Sequence, residues 1–463
     1  MVLLAGQDLN EWCLHDAVYV AACASHRCAV SPSFRLNAEN ACGGSLSDVT
    51  FVVSKASSHN NLLGHRKAYI HSATSLVLGK LPTMPLLACG SNAHGQLGIN
   101  STTDVHTPTQ CEIALPAFTH PISISGGANH TIIITSSREL FAAGHNESGQ
   151  LGLDGGDRHV FTPIPWSRDE RGVPVLAACG WDHTVVLNAE GRVWGFGNNV
   201  YGQLGLGPDV AKTHEAVEIP LPEGSGEIVR IACGMRFTVF LDEAGKVYAC
   251  GANKAGELLP LRAEAELDVV FNVRPLVLPP CRDVACGQYH VVFAEEDRGI
   301  LSQGRNRHGQ LGPADGLLSG DSAEEGSTSR RRSSRFCRFD EDRAKDCSEL
   351  FSGWNFSGYV SQSKRLILWG RNNFGQLGIG TIDDNQPPTQ SPIEDVMQIA
   401  CGAEHTVALT ANGQCFIWGW NEHGNCGLGH TTDVHTPTEI PYSGGNVRIV
   451  GCGYGHTLLY TDG

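Results

Sequence analysis

Cations are scarce in this 463-residue chain: 33 Lys and Arg stand against 48 Asp and Glu, a formal charge of −15. Affinity for phosphate backbones comes largely from clustered cations, so the balance argues against direct nucleic-acid binding and suggests a protein partner with a basic patch. No uncharged apolar run is long enough to cross a bilayer as a helix, so no membrane association is expected. No basic n-region with a clean cleavage site opens the chain, so a secretory signal is not expected. Signatures of catalysis are also missing. There is no G-x-G-x-x-G between strand and helix, no Walker lysine loop, and no Ser-His-Asp or paired-carboxylate arrangement that stands out. We therefore expect no enzyme and no cofactor. The 17 Cys are an odd number, and several share one repeated strand position (179, 233, 286, 401 and 452). Small buried thiols in a reducing compartment account for them better than a disulfide framework, and the expected location is cytoplasmic or also nuclear.

What the chain has instead is repetition. GSNAHGQLG starts at Gly90, GHNESGQLG at Gly144, GNNVYGQLG at Gly197, GRNRHGQLG at Gly304 and GRNNFGQLG at Gly370. Two degenerate copies, GANKAGELL from Gly251 and GWNEHGNCG from Gly419, complete a set of seven. A companion phrase follows each: GGANHT from Gly126, CGWDHT from Cys179, CGMRFT from Cys233, CGQYHV from Cys286, SGWNFS from Ser352, CGAEHT from Cys401 and CGYGHT from Cys452. The steps between first glycines are 54, 53, 54, 53, 66 and 49 residues. A period near fifty with strand-like content predicts a propeller or array rather than independent domains.

Each repeat reads as a hairpin. In His183-Thr-Val-Val-Leu187, Asn188-Ala-Glu-Gly191 and Arg192-Val-Trp-Gly-Phe-Gly197, β-branched and aromatic runs flank a Gly that can supply the positive φ of a tight turn. The glycine phrase reads as an ordered turn whose Leu packs between neighbouring sheets. One unit is too small to bury a core alone, but seven in a ring leave only short, protected edges.

These two phrases, in this order, closely resemble the repeats of the regulator-of-chromosome-condensation family of seven-bladed β-propellers, over residues 86–463. A kelch-type or WD-type propeller fits less well, because neither a paired Gly-Gly nor a Trp-Asp signature recurs in each blade. The expected fold is all-β. The first glycine phrase lacks a partner strand before it, and the last companion strand has none after it. Pairing the C-terminal strand with the first strand of the repeat region, residues 86–89, would close the ring.

Residues 1–85 show neither phrase and no steady period. They read as an N-terminal extension: a mostly unstructured segment, a small appended element, or the product of a misplaced start, with Met84 an alternative beginning. The 66-residue step places about 13 surplus residues in 313–347. Its blocks of charge read as a flexible, solvated insert. Ser333 and Ser334, beside Arg330, Arg331 and Arg332, are candidate phosphorylation sites.

The Cys-Gly-x-x-His phrase invites a metal reading. His130, His183, His290, His405 and His456 share one place, but Phe237 and Phe356 fill it in the other copies. A ligand is not exchangeable for a phenyl ring, so a packing role is preferred and no metal is expected. The two residues before that place differ in every copy. In the family such positions lie near the mouth of the central channel and include partner contacts, among them an Asp that Asp182 matches. The candidate partner-binding residues are Trp181, Asp182, Arg236, Tyr289, Trp354, Glu404 and Tyr454. The alternative is that the aromatics merely fill the channel mouth.

Within the family, the single propeller and the segment Trp418–Gly427 look most like the alpha-tubulin suppressor branch of fungi. That resemblance implies an adaptor, monomeric alone, that pairs with a small CSL-type zinc protein in diphthamide synthesis and Elongator-dependent modification of the tRNA wobble uridine. The alternative implied by the family is guanine-nucleotide exchange on a Ran-like GTPase. An unrecognised enzyme using the channel is a residual third class.

Overall fold

The computed structural model describes residues 50–60, 66–77 and 85–463, apart from 117, 259–266, 297–298, 314–316, 319–334, 340–344, 443 and 463. The chain divides into two units, Met1–Thr83 and Met84–Gly463. In the first, Thr50–Asn60 pairs antiparallel with Arg66–Val77, a hairpin that no repeat signature marked. The remainder of the expected unstructured extension lies outside the described residues.

The second unit is a seven-bladed propeller. Five of the blades are four-stranded antiparallel sheets in which strand order follows chain order, as in Pro174–Cys179, His183–Asn188, Val193–Asn198 and Lys212–Glu218. Neighbouring blades cover both faces of each second strand. That is why HTIIIT, HTVVLN, FTVFLD and their counterparts are buried at every position instead of alternating. Outermost strands such as Val105–Gln110 and Gln386–Gln390 are largely exposed, and their prolines fit because an edge strand need not donate on both sides.

One blade is assembled from both ends of the unit. Val447–Gly453 pairs with His456–Thr461, which pairs with Leu86–Gly90, and Val105–Gln110 completes the sheet. Leu86 lies opposite Tyr460 and Gly90 opposite His456.

The segment 313–347 is not all loop. Arg335–Phe339 runs antiparallel to Gly299–Gly304 as the fourth strand of its blade, and Leu317–Leu318 pairs outside it. Cys337 is fully buried, and Arg338 holds the buried Glu295 at 2.6 Å. The short run Phe336-Cys337-Arg338-Phe339 is set between blocks of charge on both sides, so the segment reads as loop by composition. Ser333 and Ser334 lie outside the described residues, as does most of the insert.

Candidate functional site

The companion phrase builds the joint between blades. Its Gly lies against the ring three residues on, and a Cβ at Gly127, Gly180, Gly287, Gly402 or Gly453 would collide with the His ring. Gly234 and Gly353 stand in the same relation to Phe237 and Phe356. The His Nε2 then reaches a hydroxyl on the following blade: His130 to Thr184 at 3.0 Å, His183 to Thr238 at 3.1 Å, His290 to Ser357 at 2.7 Å and His405 to Thr457 at 3.0 Å. His456 reaches Thr131 at 2.8 Å, carrying the joint across the closure.

Each of these hydroxyls donates to a backbone carbonyl of a glycine phrase, as Thr184 does to Gln150 at 2.8 Å and Thr238 to Gln203 at 2.6 Å. The hydroxyl oxygen must therefore accept from the imidazole, which assigns the ring proton to Nε2. All five Nδ1 atoms are buried without a partner. Protonating them would place a charge in a dry site, and burial holds all five rings down to about 3. Phe237 instead shares an apolar cluster with Val291, which has no hydroxyl to offer.

The glycine phrase is equally rigid. Its Asn accepts the backbone N–H five residues on, as in Leu97 to Asn92 at 3.1 Å, Leu204 to Asn199 at 2.9 Å and Cys426 to Asn421 at 2.8 Å. Its Gln accepts from two residues back, as His94 to Gln96 and Phe374 to Gln376 show. The first Gly takes φ near +110°, and a Cβ there would strike the residues just before the His or Phe joint. The repeated Cys also face inward. Cys179 Sγ lies 3.5 Å from the Ser125 carbonyl, and burial pushes its thiol up to about 12.

Within this frame the first variable residue of five companion phrases donates its backbone N–H to the companion phrase of the following blade. Backbone bonds pass from Trp354 to Ala403, Ala403 to Tyr454 and Tyr454 to Gly127 at 2.9 to 3.0 Å, stitching the inner ends together. Three aromatics from separate blades meet over the opening. Trp181 and Trp354 stack at 5.9 Å, Trp354 meets Tyr454 edge-on at 5.1 Å, and Trp181 lies 5.7 Å from Tyr454. All three are half-buried, and they line a depression of about 420 Å³ with Arg371, Phe374, Glu404, Trp420, Glu422 and His423.

The other candidates divide. Glu404 lies in the floor, only 5% exposed. It accepts from Arg371 at 2.7 Å, Asn355 at 2.9 Å and Gln376 at 2.5 Å. Burial raises its carboxyl, against which these partners work. Burial likewise raises Asp182, which accepts from Asn198 at 2.6 Å. Arg236 and Tyr289 lie outside the depression. Arg236 rests over Tyr201 at 4.4 Å, and Tyr289 carries Arg305 over its ring at 3.9 Å.

Six lining residues from the glycine phrases are not among the sequence candidates: Ser91, Arg371, Phe374, Trp420, Glu422 and His423. They occupy the variable places of the glycine phrase, and comparing its copies position by position would have marked them.

Among the described residues, one group has metal-ligand atoms close together: His94, His145 and Asp157. Gln150 accepts from Ser148 N–H through Oε1, so its Nε2 donates to His145 Nδ1 at 3.0 Å. That places the His145 proton on Nε2, while His94 Nδ1 is spent on Asp157 at 2.9 Å. The group works as a blade-to-blade clasp. His308 to Asp384 at 2.8 Å and His423 to Asp104 at 2.7 Å repeat it without a second His.

Comparison with known proteins agrees with this geometry. A family model described as RCC1-like domain matches residues 85–459. The mouse secretion-regulating guanine nucleotide exchange factor is 30% identical over 81% of this chain and 82% of its own. The Arabidopsis thaliana ultraviolet-B receptor UVR8 is 30% identical over 71% of each chain. Among solved structures, yeast RCC1 (Prp20) bound to Kap60 superposes with a TM-score of 0.69 at 24% identity, covering 81% of this chain and 88% of that one, and so supports the fold.

Proposed function

The chain belongs to the RCC1-like domain family, and from that premise we propose that it is a non-enzymatic docking propeller whose channel mouth binds a protein partner. The observation that carries this reading is the aromatic cluster of Trp181, Trp354 and Tyr454, half-buried over a depression in a rigid frame. Large aromatic side chains that are pre-organised and partly open to solvent are the usual anchors of protein interfaces. Among the described side chains at the mouth, hydrogen bonds and ion pairs already engage the carboxylates of Asp182 and Glu404, which suits binding rather than proton transfer.

For the partner we propose a small CSL-type zinc protein, with the propeller acting as adaptor or regulator in diphthamide synthesis and Elongator-dependent tRNA wobble uridine modification. We place that work in the cytoplasm, with access to the nucleus. A second reading, nucleotide exchange on a Ran-like GTPase, is favoured by the mouse relative, which is named an exchange factor. Affinity purification with mass spectrometry, paired with a nucleotide-release assay, separates the two. The adaptor reading expects a small Cys-rich zinc protein and no acceleration of release. Catalytic acceleration by the purified propeller would promote the exchange factor.

A further inference from the structure

Charge at the mouth is distributed against the average of the chain. Three successive blades place Arg236 and Lys254, then Arg305 and Arg307, then Arg371 at the variable places of their phrases. Arg236 is held over Tyr201 at 4.4 Å, Arg305 over Tyr289 at 3.9 Å and Arg371 over Phe374 at 5.0 Å. Stacking on a ring face fixes a guanidinium plane while leaving its N–H edges free to donate. Three of the acids nearby, Asp182, Asp384 and Glu404, are already engaged, and Glu422 lines the mouth beside Arg371. Asp182 accepts from Asn198 and Gln203, and Asp384 from His308 and the Asn372 N–H. Glu404 takes Arg371. Among the described residues, Lys254, Arg305 and Arg307 have no ion-pair partner, and Lys254 and Arg307 are exposed.

We infer that this cationic arc receives a carboxylate-rich segment of a partner protein. The inference rests on the docking reading above and names the chemistry that the site takes. It reverses the expectation of a basic partner, because a net charge of −15 says nothing about where the cations stand. Fixed guanidinium edges match carboxylates in bidentate geometry. A nucleic acid fits less well, since a phosphate chain needs more clustered cations than this short arc supplies.

The test uses the full-length protein and a fluorescein-labelled ten-residue peptide of alternating Glu and Gly, with a Lys-Gly peptide and a single-stranded RNA for comparison. The acidic peptide should bind, weaken as salt rises, and lose about tenfold in affinity in the Arg305→Ala/Arg307→Ala variant. Arg274→Ala, exposed on an outermost strand, should change that affinity by less than about twofold, so the loss belongs to the arc. No binding of the acidic peptide, preference for the lysine peptide or RNA, or indifference to loss of both arginines would each overturn the proposal. Loss of the natural partner with the tryptophans, alongside any of those results, would leave the docking reading standing and remove only the arc.

Discussion

In each repeat the buried joint and the channel mouth are adjacent in the chain, yet they are built to opposite rules. At the joint five imidazoles and two phenyl rings occupy one space against a glycine, and each must fit both its own blade and the next. At the mouth the adjacent places hold Trp, Asp, Arg, Tyr, Glu, Asn, Met, Gln, Ala or Gly. The same backbone carries both, and five of the inner ends are tied to their neighbours by backbone bonds of 2.9 to 3.0 Å. A frame tied through its backbone leaves the half-buried aromatics Trp181, Trp354 and Tyr454 free to be chosen for a partner, while Glu404 and Asp182 serve the frame as well.

Acid should break the joint first and most severely. The five joint histidines are held down to about 3, whereas an unfolded His titrates near 6.5. Between those values the unfolded chain binds more protons. Stability is therefore full above about pH 6.5 and falls as pH drops. At pH 5 each ring costs about 2 kcal/mol, and five together rival the whole stability of many domains. We expect cooperative unfolding as pH falls through about 5, followed by far-UV circular dichroism. His183→Phe sharpens the point. Thr238 would keep its bond to the Gln203 carbonyl, so the variant should hold its neutral-pH melting temperature within a few degrees and unfold at lower pH. An acid transition unmoved by that change would detach it from the joint.

Steric loss of the joint comes next. Gly180→Ala drives a methyl into the His183 ring and should cost about 3 kcal/mol, read as a lower urea midpoint. Gly156→Ala, where nothing lies within 4 Å of the new carbon, should stay within about 0.5 kcal/mol. Equal costs at the two sites would deny the joint its special packing.

The propeller was largely legible because its constraints are local and repeated. Gly, Asn, Gln and Leu recur where the turn demands them, and the exchange of His for Phe already pointed to packing. Two things were not legible. Arg335–Phe339 hides because the strand is short and set between blocks of charge. The mouth was half-read: Trp181, Trp354 and Tyr454 were marked one by one, but their meeting depends on ring closure that brings residues far apart in sequence within 6 Å. Arg371 and Trp420 occupy variable places of the glycine phrase, and repetition marks the fixed places of a phrase rather than these.

The central claim is that the mouth serves a partner and the frame does not depend on it. Partner capture and thermal melting, measured on the same preparations of wild-type and Trp181→Ala/Trp354→Ala protein, address it most directly. The account predicts that capture falls at least about tenfold while the melting temperature drops by a few degrees at most. Unfolding of the variant would make the aromatics a plug that holds the ring together. Undiminished capture at normal stability would move the interface away from the mouth.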